Sequence, residues 1–321
     1  MPHLLVAGKL HPVGEALLRD LPARGITVDY VEEISEPSYA ALIHKADALV
    51  IRTQPLSAKT IACAERLRIV SRHGVGYDAV DVTALNARGI ALAIVGDVNS
   101  VSVAEHAMMQ LLAGAKRALL ADRAVREPGR WGWRNRLEQQ EISGKNLLIL
   151  GYGRIGRHLA RMASGFGMQV RAYDPFLQQH GWPEGPVRPT SLEGGLAWAD
   201  CISVHIPRSE RPVIGAAEIA RMKHGVILAN TARGGVVDET ALSQALTSGQ
   251  IGAAGVDVFD DEPPAGSPLF DQPTAILSPH IAGLTAECSE RMAIASVDNA
   301  INYLNGTIDR ALIVNQDFAH A

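Results

Sequence analysis

The sequence predicts an α/β protein of two doubly wound parallel-sheet domains with a cleft between them, and three observations carry that prediction. Short apolar runs alternate with amphipathic segments over residues 1–100 and again from Asn146 onward, as strands and helices do in parallel sheets. A glycine-rich turn, Gly151-Tyr152-Gly153-Arg154-Ile155-Gly156, joins one apolar run to a helical pattern. At 321 residues the chain is long enough for two domains, each with its own core.

In the first series Leu4–Ala7, Ile26–Tyr30, Ala48–Ile51, Leu67–Ser71 and Ile90–Ile94 read as strands. Glu15–Leu21, Tyr39–Lys45, Ala58–Ala64 and Val82–Ala87 read as the helices between them. A long helix is expected from near Ser102 to about Arg126, where Pro128-Gly129 breaks it. The segment Arg130–Arg136 is basic, which alone suggests a solvated face, but Trp131 and Trp133 favour packing against a partner subunit. In the second series the strands are Asn146–Leu150, Met168–Tyr173, Asp200–His205, Val226–Asn230, Ala253–Val258 and Ala275–Leu277. Helical patterns separate them, apart from the loop Asp260–Pro273, and a last helix runs from about Ala286 to Asn305. No solenoid-length repeat or low-complexity tract interrupts this order.

The glycine-rich turn gains meaning from its surroundings. The strand Asn146–Leu150 precedes it, Ile155, Leu159 and Met162 follow at helical spacing, and the next strand ends on Asp174. Gly151 permits the tight turn, Gly153 lets the backbone approach a pyrophosphate, and Gly156 lets the helix pack on the sheet. The N–H groups at Arg154 and Ile155 then face the negative phosphates. Asp174 accepts hydrogen bonds from the adenosine ribose and repels a 2′-phosphate, and Pro175-Phe176 after it bring no cation, so NAD is favoured over NADP.

Bulk properties narrow the class further. The chain is 47% hydrophobic and 20% charged with 30 glycines, and its formal net charge of −4 gives no reason to expect a nucleic acid or membrane partner. Three widely spaced cysteines, Cys63, Cys201 and Cys288, suit reduced thiols in a cytoplasm and not a disulfide framework or a metal site. Neither a signal peptide nor a membrane-spanning run is visible, so a soluble cytoplasmic protein is expected.

Three polar residues each follow an apolar strand. Arg233 comes after Val226–Asn230, Glu262 after Ala253–Val258 and His280 after Ala275–Leu277. The carboxyl ends of strands form the ligand crevice of an open parallel sheet. Histidine suits proton exchange with a hydroxyl near neutral pH, a carboxylate beside it favours its charged form, and an arginine fork clamps a substrate carboxylate. These are the parts a hydride transfer between nicotinamide and a hydroxy or keto carbon requires. His106 is a rival histidine, but its helical setting with Val103 and Gln110 favours a structural role.

The same residues carry a resemblance. His73-Gly74-Val75-Gly76-Tyr77-Asp78, Asn99 to His106, Gly151 to Gly156, Asn230-Thr231-Ala232-Arg233-Gly234, Gly255-Val256-Asp257-Val258-Phe259, Glu262-Pro263 and Ser278-Pro279-His280 occur in the order seen in the D-isomer-specific 2-hydroxyacid dehydrogenases. The chain resembles that family over most of its length, in its phosphoglycerate dehydrogenase-like form. The resemblance implies a flavodoxin-like substrate domain over 1–100 and 286–321 and a Rossmann NAD domain over 101–285. It implies that His280 is the acid–base group, Glu262 its partner and Arg233 the carboxylate anchor, helped by the Val75 and Gly76 amides. For NAD it adds His205, Pro207, Thr231, Asp257 and Gly283 to the glycine loop and Asp174. It also implies a homodimer. His205 either borders the adenine or is a simple loop residue.

The substrate expected is a small 2-hydroxy or 2-keto acid with a polar or anionic tail at C3, such as a 3-phosphoglycerate-, sulfolactate- or glycerate-like acid. The positive groups available to that tail are Arg52, His73 and an arginine of Arg130–Arg136 from a partner subunit. Formate dehydrogenases of this fold carry glutamine where Glu262 stands, which disfavours that activity. Some relatives carry an extra regulatory domain; this chain stops at Ala321, and feedback through such a domain is not expected. The alternative reading is an NAD-sensing corepressor-like protein of the same fold, which retains the triad.

Overall fold

The computed structural model describes residues 1–316 and divides into two compact units, residues 1–99 with 284 onward, and residues 100–283. Among its described residues the first unit holds five strands: β1 (His3–Ala7), β2 (Thr27–Val31), β3 (Ala48–Ile51), β4 (Ile69–Arg72) and β5 (Ala91–Ala93). They form one all-parallel sheet in the order β2-β1-β3-β4-β5. The helices α1 (Pro12–Asp20), α2 (Glu36–Ala40), α3 (Ala58–Ala62) and α4 (Val82–Ala87) supply the crossovers. All four residues of β3 are buried because helices cover both faces, and two cores result.

The second unit opens with two helices, α5 (Ser100–Ala115) and α6 (Ala118–Arg126), where a single long helix is expected from the sequence. The break falls at Arg117, which takes the left-handed conformation at φ 51 while its guanidinium donates to the Gly252 carbonyl. That tertiary hydrogen bond rewards a left-handed turn at an arginine, a residue type that rarely adopts one.

Seven strands follow: β6 (Asn146–Leu150), β7 (Gln169–Tyr173), β8 (Arg188–Pro189), β9 (Cys201–Val204), β10 (Val226–Asn230), β11 (Ile251–Val256) and β12 (Ala275–Leu277). Their parallel order is β12-β11-β10-β9-β6-β7-β8, so the sheet reverses direction between β6 and β9. Their helices are α7 (Arg154–Gly165), α8 (Pro175–His180), α9 (Leu192–Trp198), α10 (Ala216–Ile219) and α11 (Glu239–Ser248). The last helix, α12 (Ala286–Leu304), returns to the first unit and buries Ala293, Val297, Ala300 and Ile301 in its core. Both sheets are therefore doubly wound, and each has a switch point at the carboxyl ends of its strands where ligands bind.

Candidate active site

At the switch point of the second sheet the chain needs glycine for steric reasons. Gly151 leaves β6 at φ +93, and a Cβ there would lie 2.6 Å from the His205 carbonyl oxygen at the end of β9. A Cβ on Gly156 would strike the Gly151 carbonyl, so α7 starts close beneath the turn. Gly153 is the N-cap of α7 and supplies no side-chain cap, and no atom lies within 4 Å of where its Cβ would be. The first-turn N–H groups of α7 therefore face open space with their positive dipole end exposed, a fit for a pyrophosphate.

Asp174 ends β7 and is already engaged. Its Oδ2 accepts from Tyr152 N at 2.9 Å and its Oδ1 from Leu177 N at 3.1 Å, which caps α8. A carboxylate accepts about four hydrogen bonds, so lone pairs remain for ribose hydroxyls. His205, partly buried beyond β9, places Nε2 2.8 Å from Ser203 Oγ, while its shielded Nδ1 has no partner among the described residues. Burial pushes its pKa down to about 3, so the ring is neutral. Pro207 is exposed two residues on, and Thr231, at the end of β10, buries a hydroxyl that finds no partner among the described residues. An unsatisfied buried hydroxyl at a strand end of this sheet fits a bound cofactor.

Three further strand ends carry the polar set. Beyond β10, Arg233 is partly buried; its guanidinium donates to the Ala232 carbonyl at 2.6 Å, and Asn230 Nδ2 donates to the Arg233 carbonyl at 3.1 Å. Beyond β11, Glu262 accepts from Phe259 N through Oε1 at 3.1 Å. Beyond β12, His280 presents Nδ1 2.7 Å from Glu262 Oε2. The His280 side chain keeps 51% of its surface exposed, so proton exchange with a small molecule remains open to it. The hydrogen bond that His280 donates to Glu262 raises the His280 pKa, aided by the Glu262 and Asp257 charges and opposed by burial and Arg233. Burial would raise the Glu262 pKa, but the His280 bond and charge, the Phe259 N–H and Arg233 hold it below the ordinary value.

Asp257 is fully buried, and its carboxylate accepts from Ser278 Oγ, Ile281 N and Ala282 N; Gly283 follows, partly buried. His106, on α5, lies against Ser278, in keeping with a structural place for it. Among the described residues no cluster of histidine, cysteine and acidic side chains suits a metal ion.

The first unit has its own switch point, between β1 and β3. Gly8 ends β1 at φ +107, and a Cβ there would sit 2.7 Å from Arg52 Cβ. Arg52 follows β3, and Arg72 closes β4 in register with Ile51. Arg72, which the sequence reading passed over, braces the next loop by donating to the His73 carbonyl at 2.7 Å. Val75 and Gly76 are partly buried in that loop. The positive charge expected of His73 is corrected. The ring is 6% exposed, and burial together with Arg52 and Arg72 pushes its pKa down to about 4, so it is neutral at pH 7. The cationic pair at these strand ends is Arg52 and Arg72.

Comparison with known proteins agrees with this fold. Residues 108–282 match the model described as the D-isomer specific 2-hydroxyacid dehydrogenase, NAD binding domain. The chain belongs to that family. This dehydrogenase-family chain is 37% identical over 316 residues to a glyoxylate reductase of Korarchaeum cryptofilum, covering 93% of this chain and 95% of that one. It is 39% identical over 294 residues to the D-3-phosphoglycerate dehydrogenase of Mycobacterium bovis, covering 91% of this chain but 54% of the relative. It thus spans about half the length of that relative. The NAD-dependent formate dehydrogenase of Staphylococcus aureus, solved in complex with NAD, superposes with a TM-score of 0.85 at 25% identity, covering 97% of this chain and 98% of that one. NAD is the cofactor of the family, and the strand orders and glycine loop above are those of an NAD-binding α/β protein.

Proposed function

We propose that this chain is an NAD-dependent oxidoreductase that interconverts a D-2-hydroxy acid and its 2-keto acid. The observation that carries the reading is the 2.7 Å His280–Glu262 pair, with Arg233 on a neighbouring strand end of the same sheet. Bound NAD supplies the hydride chemistry at C2; the chain supplies the rest. With Nδ1 committed to Glu262, His280 exchanges the substrate proton through Nε2, giving it to the carbonyl oxygen in reduction and taking it from the hydroxyl in oxidation. Glu262 stabilises the imidazolium and fixes the ring. Arg233 anchors the substrate carboxylate and polarises the reacting carbonyl. The amides of Val75 and Gly76, in a loop braced by Arg72, add carboxylate donors.

Arg154, Ile155 and the glycines of the turn take the pyrophosphate, and Asp174 takes the ribose. His205, Pro207, Thr231, Asp257 and Gly283 complete the cofactor side of this reading. Arg52 and Arg72, both close enough to His73 to depress its pKa, support a substrate whose C3 tail is polar or anionic, phosphorylated or sulfonated acids being the best match. Leu119, Val125, Trp131 and Leu137, all well exposed, support a homodimer that covers them. Reduced cysteines and the absence of any membrane-spanning helix among the described residues accord with a cytoplasmic enzyme.

The test is NADH consumption with 2-keto acids that differ only at C3: pyruvate, glyoxylate, hydroxypyruvate, phosphohydroxypyruvate and sulfopyruvate. Preference for one of the two charged tails is expected. Tight NADH binding with no turnover of any of the five would overturn the enzyme reading in favour of an NAD sensor.

A further inference from the structure

Asp257 grips the segment that carries His280. Its Oδ1 accepts from Ser278 Oγ at 2.6 Å and from Ile281 N at 2.9 Å, and its Oδ2 accepts from Ala282 N at 2.9 Å. Its backbone carbonyl accepts from His280 N at 2.8 Å. Inside this grip His280 stands at φ 52, a left-handed conformation that a non-glycine residue adopts only when its surroundings enforce it.

One side chain from another element completes the arrangement. His106 of α5 places Nε2 2.9 Å from Ser278 Oγ and 3.7 Å from Asp257 Oδ1. The Ser278 hydroxyl has a single proton, which goes to the Asp257 carboxylate because an ionised carboxylate only accepts. The bond between His106 and Ser278 must therefore run from an Nε2–H of His106 to the Ser278 oxygen. Every proton in the chain His106 to Ser278 to Asp257 is directed one way, and the His106 ring, 13% exposed, has little room to turn.

We infer that His106 is a positioning residue: through Ser278 and Asp257 it fixes the backbone that presents His280 to its reactant. The inference rests on the reading of His280 as the acid–base group. The charged groups acting on His280 are Glu262, Asp257 and Arg233, and Asp257 is the one that His106 reaches. A looser Asp257 grip lets the His280 ring drift from Glu262, whose hydrogen bond is the largest influence holding its pKa up. A displacement near 1 Å from such a change costs up to about a hundredfold in rate.

The experiment compares wild type with His106→Leu, His106→Gln, Ser278→Ala and His280→Ala. The imidazole titrations are followed by NMR on protein labelled with 15N-histidine, with the His280 resonance identified by its absence from His280→Ala. Wild type is expected to show His106 as the Nε2–H tautomer and His280 with a raised midpoint. His106→Leu and Ser278→Ala should both lower the His280 midpoint. They should also reduce kcat about tenfold or more with the best keto acid of the panel. His106→Gln, which replaces the Nε2–H donor, should restore most of both. Ser278→Ala removes the same bond with little change in volume, which covers a His106→Leu variant that fails to fold. A His280 midpoint unmoved in both variants, or a glutamine variant no better than leucine, would overturn the inference. Full turnover by His280→Ala would instead sink the acid–base reading, while the NMR midpoints of the other variants still judge the grip.

Discussion

Glu262 Oε2 stands 2.7 Å from His280 Nδ1, and the bond joins two loops that leave different strands of one sheet. It raises the His280 pKa and lowers that of Glu262, so each partner favours the charged form of the other. Reduction of a keto acid needs the imidazolium, and its rate should hold at low pH and fall as pH rises through the raised His280 pKa. Glu262→Gln removes the charge and should move this limb to lower pH, with a loss in kcat of about a hundredfold. A pH–rate profile of kcat/KM checks the shift, and a limb that stays in place removes Glu262 from the proton chemistry.

The same pair links pH to stability. His280, with its pKa raised by folding, contributes stability that is full below its unfolded pKa and is lost as pH rises through the folded one. Glu262, with its pKa lowered, contributes above its unfolded pKa and loses that contribution as pH falls through the folded one. Glu262→Gln should therefore flatten the Tm–pH curve on both flanks of the neutral region, as measured by thermal unfolding across pH.

Asp174 does two jobs at once, because it caps α8 through Leu177 N and also holds Tyr152 N in the glycine turn. Asp174→Ala should lose about 1 kcal/mol of stability with the cap and also weaken the preference for NAD over NADP. Asp174→Asn should keep the cap, since asparagine caps as well as aspartate, while still relaxing the preference through loss of charge. Thermal unfolding together with NADH and NADPH kinetics separates the two effects. An unchanged cofactor preference in both variants would place ribose recognition elsewhere.

Arg52 and Arg72 close adjacent strands, but only Arg72 braces the loop carrying Val75 and Gly76. Arg52→Ala should raise KM for phosphohydroxypyruvate by about tenfold or more and leave pyruvate nearly untouched. Arg72→Ala should raise KM for both, since the loop that supplies the carboxylate amides loses its brace. Equal effects of Arg52→Ala on the two substrates would show that its charge does not read the C3 tail.

Local signals were legible where they act locally. The strands β3, β6, β10 and β12 end where the apolar runs end, and the glycine turn sits where strand, turn and helix patterns meet. Signals that depend on distant chain were not. Arg117 turns left-handed for a bond to Gly252, 135 residues on. β8 is only two residues, Arg188–Pro189, too short to leave a periodic pattern. His73 looks like a cation in sequence, yet burial makes it neutral. Arg72 is one residue before the His73 motif, and its place opposite Ile51, next to Arg52 in the chain, exists only in the parallel register of β3 and β4.

Gly234 shows how tightly the loops that carry Arg233 and Glu262 are fitted. A Cβ on it would overlap the Phe259 carbonyl, and Phe259 N is the donor that holds Glu262. Its backbone is outside the left-handed region, so the demand for glycine is steric alone. Gly234→Ala should push the Arg233 loop away from the Glu262 loop, costing about 1–3 kcal/mol by overpacking. Because Glu262 moves with Phe259, kcat should fall more than KM rises. Gly165→Ala is the matched control: it lies in α7, has nothing within 4 Å of its Cβ position and needs no unusual φ. It should leave turnover alone and gain up to about 1 kcal/mol from helix propensity. Thermal unfolding and steady-state kinetics on both variants decide the point, and a Gly234→Ala protein with wild-type kcat would mean that the two loops do not depend on each other.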